Sequence, residues 1–495
     1  MLSPRCVDIS IESTTCNLIF DRYYCRLDTF EQDEPGSRSR RHRVIALRIS
    51  GPRRRQSRNA TQSGSTVQAR PEVIDRVAAD HARGLDSLCL VKRESFSHEP
   101  GIFMKHVVRN PLLIGFRSLD GQSHFGVGDW FEGDPASRSR GEPTSVAAEY
   151  RPSELSLPPC VGPMRSYGAW LPYLDFPSLG EGGTPAVDVP ALADAMGLDR
   201  LIFKRESANP TGSHKDRMTP LALARAIETG AAGVVCASSG NAAISLAAYA
   251  SAASVKCRVL VTASISDAYR SLLERMNAEI VVCRTHLDRW KVMAGMVSEG
   301  WYPITNFALP AVGSNPYGVQ GYKTVAYEIF QQAEAVDDVV VPCARGDLLW
   351  GIGEGFDELK RAGMIDKVPR LHAVEPFPRL SRVLQGQAKS TDLFSGDTQQ
   401  FSIAGDTTTD QAVRAVTASR GSAVCVDDTL AAVAQSDAAR HGFDLELSSA
   451  SALGAIRILK ANGTLPHGAT VVMIATASSA REPVAAGAPL AAPNA

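Results

Sequence analysis

The ten cysteines, at positions 6, 16, 25, 89, 160, 236, 257, 283, 343 and 425, include no CxxC pair. That spacing argues against a zinc site, and the scatter argues against a disulfide framework. Cys236, Cys257, Cys283 and Cys425 fall in or beside apolar runs, where cysteine serves as a small apolar residue. Reduced thiols, a cytoplasmic setting and no metal are therefore expected. No apolar run is long enough for a membrane-spanning helix. The start lacks a basic segment followed by an apolar block, so no secretory signal is expected. Net charge is also lacking: the balance is −1, which argues against a nucleic-acid or membrane partner. The rest is ordinary for an enzyme, with 44% apolar and 21% charged residues over 495 positions. That length allows a full core and two or three domains.

Periodicity is poor before residue 160. The stretch "SRSRRHRVIALRISGPRRRQSR", 37–58, is strongly basic. A nucleic-acid arm or an organelle-targeting peptide has this charge. However, no aromatic residue interleaves the cations, and "EQDE" lies just upstream, so a solvated tail is the reading taken. Residues 1–105 are expected to be a disordered basic extension. Beyond 160 the pattern is regular. "AAGVVCASS", "CRVLVTA", "AEIVVC", "DDVVVPC", "RLHAVEP", "SAVCVD" and "TVVMIAT" are expected strands. Helical stretches such as "NAAISLAAYASAA" and "SDAYRSLLERMN" separate most of them. This alternation predicts an α/β fold with doubly wound parallel sheet. Ligands in such folds bind on loops at the carboxyl ends of strands.

Four of those loops carry candidate chemistry. In "ESANPTGSHKDRM", 206–218, a polar turn delivers Lys215 to the start of a helix. The positive field of a helix N-terminus depresses a lysine pKa, as an amine attacking an aldehyde requires. By itself this also fits a surface lysine beside Asp216 and Arg217. In "CASSGNAAIS", 236–245, a strand ends and Ser238, Ser239, Gly240 and Asn241 lead into a helix. Free backbone N–H groups there suit a carboxylate or phosphate, although Ser and Asn also serve as ordinary caps. In "VVVPCARGDLLWGIGEGF", 339–356, Arg345 and Gly346 occupy a turn suited to phosphate. In "VVMIATASSAREP", 471–483, Thr476 and Ser478 follow a strand and offer hydroxyls to a ring nitrogen.

Taken in order, the motifs resemble those of the fold-type II pyridoxal-phosphate enzymes, the tryptophan-synthase-β superfamily, and most nearly threonine synthases. They are "SLGEGGTP" (178–185), "NPTGSHKDR" (209–217), "ASSGN" (237–241), "NPYGVQGYKTVAYEI" (315–329), "ELSSASAL" (446–453) and "TASSAREP" (476–483). The resemblance covers roughly residues 165–485. It implies two doubly wound parallel-sheet domains with pyridoxal 5'-phosphate between them. The catalytic core is expected at 161–490, with a smaller subdomain at about 235–330. It implies that Lys215 holds the cofactor as a Schiff base and that His214 lies near its phosphate. It implies that Asn241 meets the ring hydroxyl and that Ala344, Arg345, Gly346, Asp347 and Leu348 form the phosphate loop. Thr476 would face the pyridine nitrogen, while Ser238, Ser239 and Gly240 would receive the substrate carboxylate. A neutral hydroxyl at that nitrogen weakens the electron sink and favours elimination or replacement over transamination.

The pattern departs from the family in four places. The phosphate loop has Arg345 and Asp347 in place of a glycine-rich run ending in Asn, and Asp347 would repel a phosphate unless turned away. Gly318 stands where threonine synthases usually carry an arginine for the substrate's phosphate, which predicts weak use of O-phosphohomoserine. Tyr322 replaces a glutamine. Residues 106–160 have the placement of a zinc ribbon without its cysteines. The expected function is a threonine-synthase-like lyase that removes a Cα proton from a small amino acid, then eliminates or replaces a side-chain group. The alternatives are a β-replacement synthase with a cysteine- or diaminopropionate-like product, a hydroxy-amino-acid dehydratase, and a non-catalytic cofactor-binding protein. A homodimer is the expected assembly.

Overall fold

A computed structural model describes residues 106–151 and 157–482, together with backbone strands between residues 10 and 50. Two compact units result, Met1–His98 and Glu99–Ala495. In the first, β1 (Ser10–Glu12), β2 (Thr15–Phe20), β3 (Tyr23–Asp33) and β4 (Arg41–Ser50) pair antiparallel in sequence order. The other residues before 106, and with them most of the expected basic extension, lie outside the described residues.

The second unit opens with two small antiparallel sheets. One pairs β5 (Val108–Arg109) with β9 (Tyr173–Asp175). The other has the order β7-β6-β8, from β6 (Leu113–Ser118), β7 (His124–Phe125) and β8 (Val146–Tyr150). Apolar packing joins this segment to the core: Phe116 meets Tyr317 edge-on at 4.9 Å and Phe131 meets Tyr302 at 5.0 Å. Among the described residues no cluster of His, Cys, Asp or Glu is built to hold a metal ion.

The main sheet has six strands in the order β10-β11-β19-β16-β17-β18. They are β10 (Ala186–Asp188), β11 (Arg200–Arg205), β16 (Asp338–Pro342), β17 (Arg370–Glu375), β18 (Ser422–Cys425) and β19 (Thr470–Ala475). All neighbours are parallel except the β10–β11 edge. A second, wholly parallel sheet has the order β14-β13-β12-β15. It comprises β12 (Gly233–Ala237), β13 (Cys257–Thr262), β14 (Glu279–Cys283) and β15 (Trp301–Pro303). We take this sheet as the centre of the smaller subdomain. Strands β16 and β19 are buried at every position, because helices cover both faces.

Seven helices bear on the site. They are α1 (Lys215–Glu228), α2 (Asn241–Ala252), α3 (His286–Ser298), α4 (Pro316–Val319), α5 (Lys323–Gln332), α6 (Asp347–Arg361) and α7 (Leu447–Ala461). Three start on the expected loops. Helix α2 follows β12, α6 follows β16, and α1 follows the turn after β11. Every one of the seven expected strand runs is a strand.

Candidate active site

The turn before Lys215 is tied down from both sides. Ser213 pairs with Ala477, and the His214 N–H donates to the Thr476 carbonyl at 3.0 Å. The Asp216 carboxylate accepts from the Thr211 N–H and hydroxyl, both at 2.6 Å, which closes the loop over the helix start. Arg217 runs beneath it, fully buried. Its guanidinium donates to Glu206 at 2.6 Å and to Glu328 at 2.6 Å. Lys204, also fully buried, donates to Glu328 at 2.6 Å and to the Thr184 carbonyl at 2.6 Å. Thus Asp216 and Arg217, which the surface-lysine alternative left in solvent, are anchors that fix the direction of Lys215.

Lys215 itself is partly buried and faces the loops. Burial lowers its pKa from 10.5 to about 8; Asp347 and Glu446 pull upward and Arg345 pushes further down. Its Nζ donates to the Tyr322 hydroxyl at 3.4 Å. Tyr322 sits in a short turn between α4 and α5, and its ring lies 5.8 Å from the His214 imidazole. His214 is held neutral, by burial and then by the Lys215 charge, and its Nδ1 lies 3.3 Å from the Thr476 carbonyl.

The N-cap residues of α2 and α6, Gly240 and Gly346, offer no side-chain cap, and at α1 only the Ser213 hydroxyl accepts from the Lys215 N–H, at 3.4 Å. The serines and Asn241, read in sequence also as caps for α2, therefore leave its first N–H groups to a ligand. In that turn the Ser238 hydroxyl accepts from the Gly240 N–H at 3.2 Å, and the Ser239 hydroxyl lies 3.4 Å from Arg289 Nη1. Asn241 donates to Glu446 at 2.9 Å and accepts from Arg481 at 3.1 Å. Burial pushes the Glu446 carboxyl up from 4.5 to about 7, against the Asn241 hydrogen bond.

The Ala344–Leu348 segment forms the turn into α6. Gly346 has φ +94°, and a β-carbon there would fall 2.4 Å from Ala412 Cβ, so glycine is required. Asp347 does turn away from the loop. It accepts from the Ser314 N–H at 2.8 Å, the Ser314 hydroxyl at 2.7 Å and Gln411 Nε2 at 2.7 Å. The Arg345 guanidinium lies 5.8 Å from the Trp290 ring, toward α3.

The structure sets Lys215 beside Tyr322, with His214 against Thr476 and Asn241 against Glu446, whose charge reaches Lys215. It adds Tyr322, Arg289, Arg481 and Glu446. Tyr322, Glu446 and Arg481 lay inside quoted motifs, whereas Arg289 had no local signal. The donor set fits pyridoxal phosphate: an amine held near neutrality suits an aldehyde, and uncapped helix starts suit a phosphate and a carboxylate.

Comparison with known proteins agrees. A family model described as "Pyridoxal-phosphate dependent enzyme" matches residues 177–477. The threonine synthase of Methanocaldococcus jannaschii is 30% identical over 340 residues, 65% of this chain and 82% of that one. That of Methanosarcina acetivorans is 29% identical over 316 residues, 61% of this chain and 76% of its own. Among solved structures, maize serine racemase matches with TM-score 0.53 and 20% identity, covering 60% of this chain and 88% of that one. The processed form of threonine deaminase isoform 2 from Solanum lycopersicum matches with TM-score 0.52 and 19% identity, covering 60% and 83%. These two likenesses speak to the fold. With the family model spanning both sheets and the Lys215 turn, the chain belongs to the pyridoxal-phosphate-dependent enzymes.

Proposed function

We propose that this enzyme is a lyase of the threonine-synthase type. It removes the Cα proton of an amino-acid substrate, then expels or replaces a side-chain group. The observation that carries the reading is Lys215, brought to about pKa 8 at the start of α1, with α2 and α6 starting nearby without side-chain caps. The relatives named threonine synthase support the reaction class.

In this reading Lys215 holds the cofactor, α6 and His214 take its phosphate, Asn241 meets the ring hydroxyl, and Thr476 faces the ring nitrogen. When bound, the cofactor withdraws electrons from the substrate Cα. The chain supplies the rest. Ser238, Ser239 and Gly240 orient the carboxylate with the first N–H groups of α2. Once freed by the substrate amine, Lys215 Nζ takes the Cα proton, and the Tyr322 hydroxyl 3.4 Å away fixes where that nitrogen sits. His214 and Tyr322, both buried, keep water from one side of the amine. The neutral Thr476 hydroxyl would offer the ring nitrogen no acidic proton, the setting that suits elimination or replacement.

We place the reaction in the cytoplasm. Cys236, Cys257, Cys283 and Cys343 are buried thiols outside any disulfide, in strands or beside them. Among the described residues no helix is long and apolar enough to cross a membrane. The family resemblance implies a homodimer, which sedimentation of the holoenzyme tests.

The deciding experiment is Lys215→Ala. The variant is expected to lose the yellow band of the bound cofactor after dialysis and to lose all turnover. Borohydride should mark Lys215 in the parent protein. A variant that keeps the band, with the label on another residue, overturns the assignment. Spectral titration of the parent with O-phosphohomoserine, activated serines and threonine separates the proposed lyase from a β-replacement synthase and a dehydratase.

A further inference from the structure

A cavity of about 500 Å³ lies on one flank of α6, and none of the candidate site residues lines it. Its α6 wall is Trp350, Gly353, Glu354 and Asp357, whose spacing puts them on one helical face. The opposite flank of α6 is seated on the turn into α5. There a β-carbon on Gly351 would fall 2.4 Å from Tyr322 Cβ, and one on Gly355 would fall 2.5 Å from the Lys323 carbonyl oxygen. Gly353 has other neighbours. A β-carbon there would meet Leu371 Cδ1 at 3.2 Å and Ala415 Cβ at 3.9 Å, and both residues line the cavity. Glycine inside a helix is unfavourable against alanine, and here it keeps the cavity floor clear. Across from α6 stand Val413 and Arg414 of the helix Asp410–Ser419.

The walls are apolar at Trp350, Leu371 and Val413 and charged elsewhere. One pair of charges is matched within the fold: Arg117 Nη2 donates to Glu354 at 3.0 Å. Asp357 is not matched. Among the described residues its half-buried carboxylate makes no ion pair, and Arg361 and Lys360 act on it only from beyond that distance. Burial raises its pKa, the mark of a carboxylate short of a cation. Arg414 spends its Nε on Asp410 at 2.6 Å, and among the described residues its terminal nitrogens make no hydrogen bond. An unpaired anion on one helix and an open guanidinium end on the other thus share a cavity with apolar walls. They match a small molecule with an ammonium, a carboxylate and an apolar body. An anion without the ammonium would meet Asp357 and Glu354 in the same cavity. A second hollow shares Arg117, Glu354 and Asp357 and opens at Lys360 and Arg361, which gives a ligand a way in.

We propose that this cavity is a second amino-acid site, separate from Lys215. It holds the ammonium at Asp357, the carboxylate at Arg414 and an apolar side chain on Trp350 and Leu371. The proposal does not need the lyase reading. The two helices that such a ligand bridges both bear on the turn into α6. Gln411 donates to Asp347 at 2.7 Å, and Thr409, the residue before the second helix, donates to the Arg345 carbonyl at 2.6 Å. A ligand that ties the two flanks together therefore restrains the turn assigned to the cofactor phosphate. Occupancy is expected to slow cofactor release.

The probe is leucine, with 3-methylbutylamine and 4-methylpentanoate as the forms that lack its carboxylate and its ammonium. Calorimetry uses holoenzyme whose cofactor is fixed by borohydride, so that no amino acid displaces it from its lysine. Leucine should bind the parent saturably, and roughly ten- to a hundredfold more weakly in Asp357→Asn and in Arg414→Gln. The amine should feel only Asp357→Asn, and the acid only Arg414→Gln. Both variants should keep the cofactor band, which shows that they fold. In unreduced holoenzyme, leucine should slow cofactor release on dilution about fivefold or more in the parent, and not in Asp357→Asn. Leucine that fails to bind, or that binds both variants as it binds the parent, overturns the site. An amine that binds as tightly as leucine does the same. Unchanged cofactor release under saturating leucine overturns the bridge between the helices.

Discussion

At the scale of single residues the decisive quantity is the proton on Lys215. Its pKa of about 8, against 10.5 for a free lysine, is set first by burial. Only the neutral amine attacks an aldehyde, so the charge state sets how fast apoenzyme takes up pyridoxal phosphate. Below pH 8 the amine is mostly protonated and uptake is slow. The rate should rise as pH approaches 8 and then level off, about two and a half units earlier than for an unperturbed lysine. Stopped-flow growth of the cofactor band in apoenzyme measures this. A rate still climbing steeply at pH 10 would mean that the amine is not depressed.

At the scale of elements, close helix packing sets the position of Lys215. Gly318 in α4 faces α1: a β-carbon there would fall 2.7 Å from Met218 Cγ and 3.0 Å from the Met218 carbonyl oxygen. Met218 lies one turn beyond Lys215 in α1. An arginine at 318 would have to push α1 aside before it reached any ligand. Gly318→Ala should destabilise the protein by about 1–3 kcal/mol, the usual cost of overpacking a dense core. Gly318→Arg should cost more and gain no phosphate affinity. Thermal unfolding of both variants decides this, and an unchanged midpoint would show that α1 and α4 separate freely. The buried ring of Lys204, Glu206, Arg217 and Glu328 is the other element-level constraint. It joins β11, the turn after it, α1 and α5. Breaking one member leaves a buried charge unpaired, so the group acts as one piece.

At the scale of the whole molecule, both parallel sheets turn strand ends toward the same place. The loops after β12, β16 and β19 supply Ser238–Gly240, Ala344–Gly346 and Thr476. These residues all lie in the Glu99–Ala495 unit. A protein without residues 1–98 should keep full cofactor binding, measured by the absorbance of the purified chain after dialysis. Soluble full-length protein beside a truncated form that is insoluble or colourless would show that the first unit is needed for folding.

Local chemistry made part of this legible in the sequence. The seven long strand runs, such as "DDVVVPC" and "TVVMIAT", are continuous apolar stretches because both faces of a parallel sheet are covered. Lys215, Asn241 and the Ala344–Leu348 turn were readable because helix starts and glycines mark themselves over a few residues. Strand β11 was not, since "RLIFKR" carries Lys204 at a buried position and resembles no apolar run. Strand β15 has only three residues, too few for any period to register. Partners far apart in the chain were settled by tertiary structure alone. Glu328 meets Arg217 across 111 positions, Gln411 holds Asp347 at the turn into α6, and Arg289 reaches Ser239 across 50 positions. The sequence by itself determined which groups can do the chemistry, because residue type and local turn geometry are written in neighbouring positions. Which charges end paired, and which stay open to a ligand, depends on contacts between distant segments, and only the folded chain decides those.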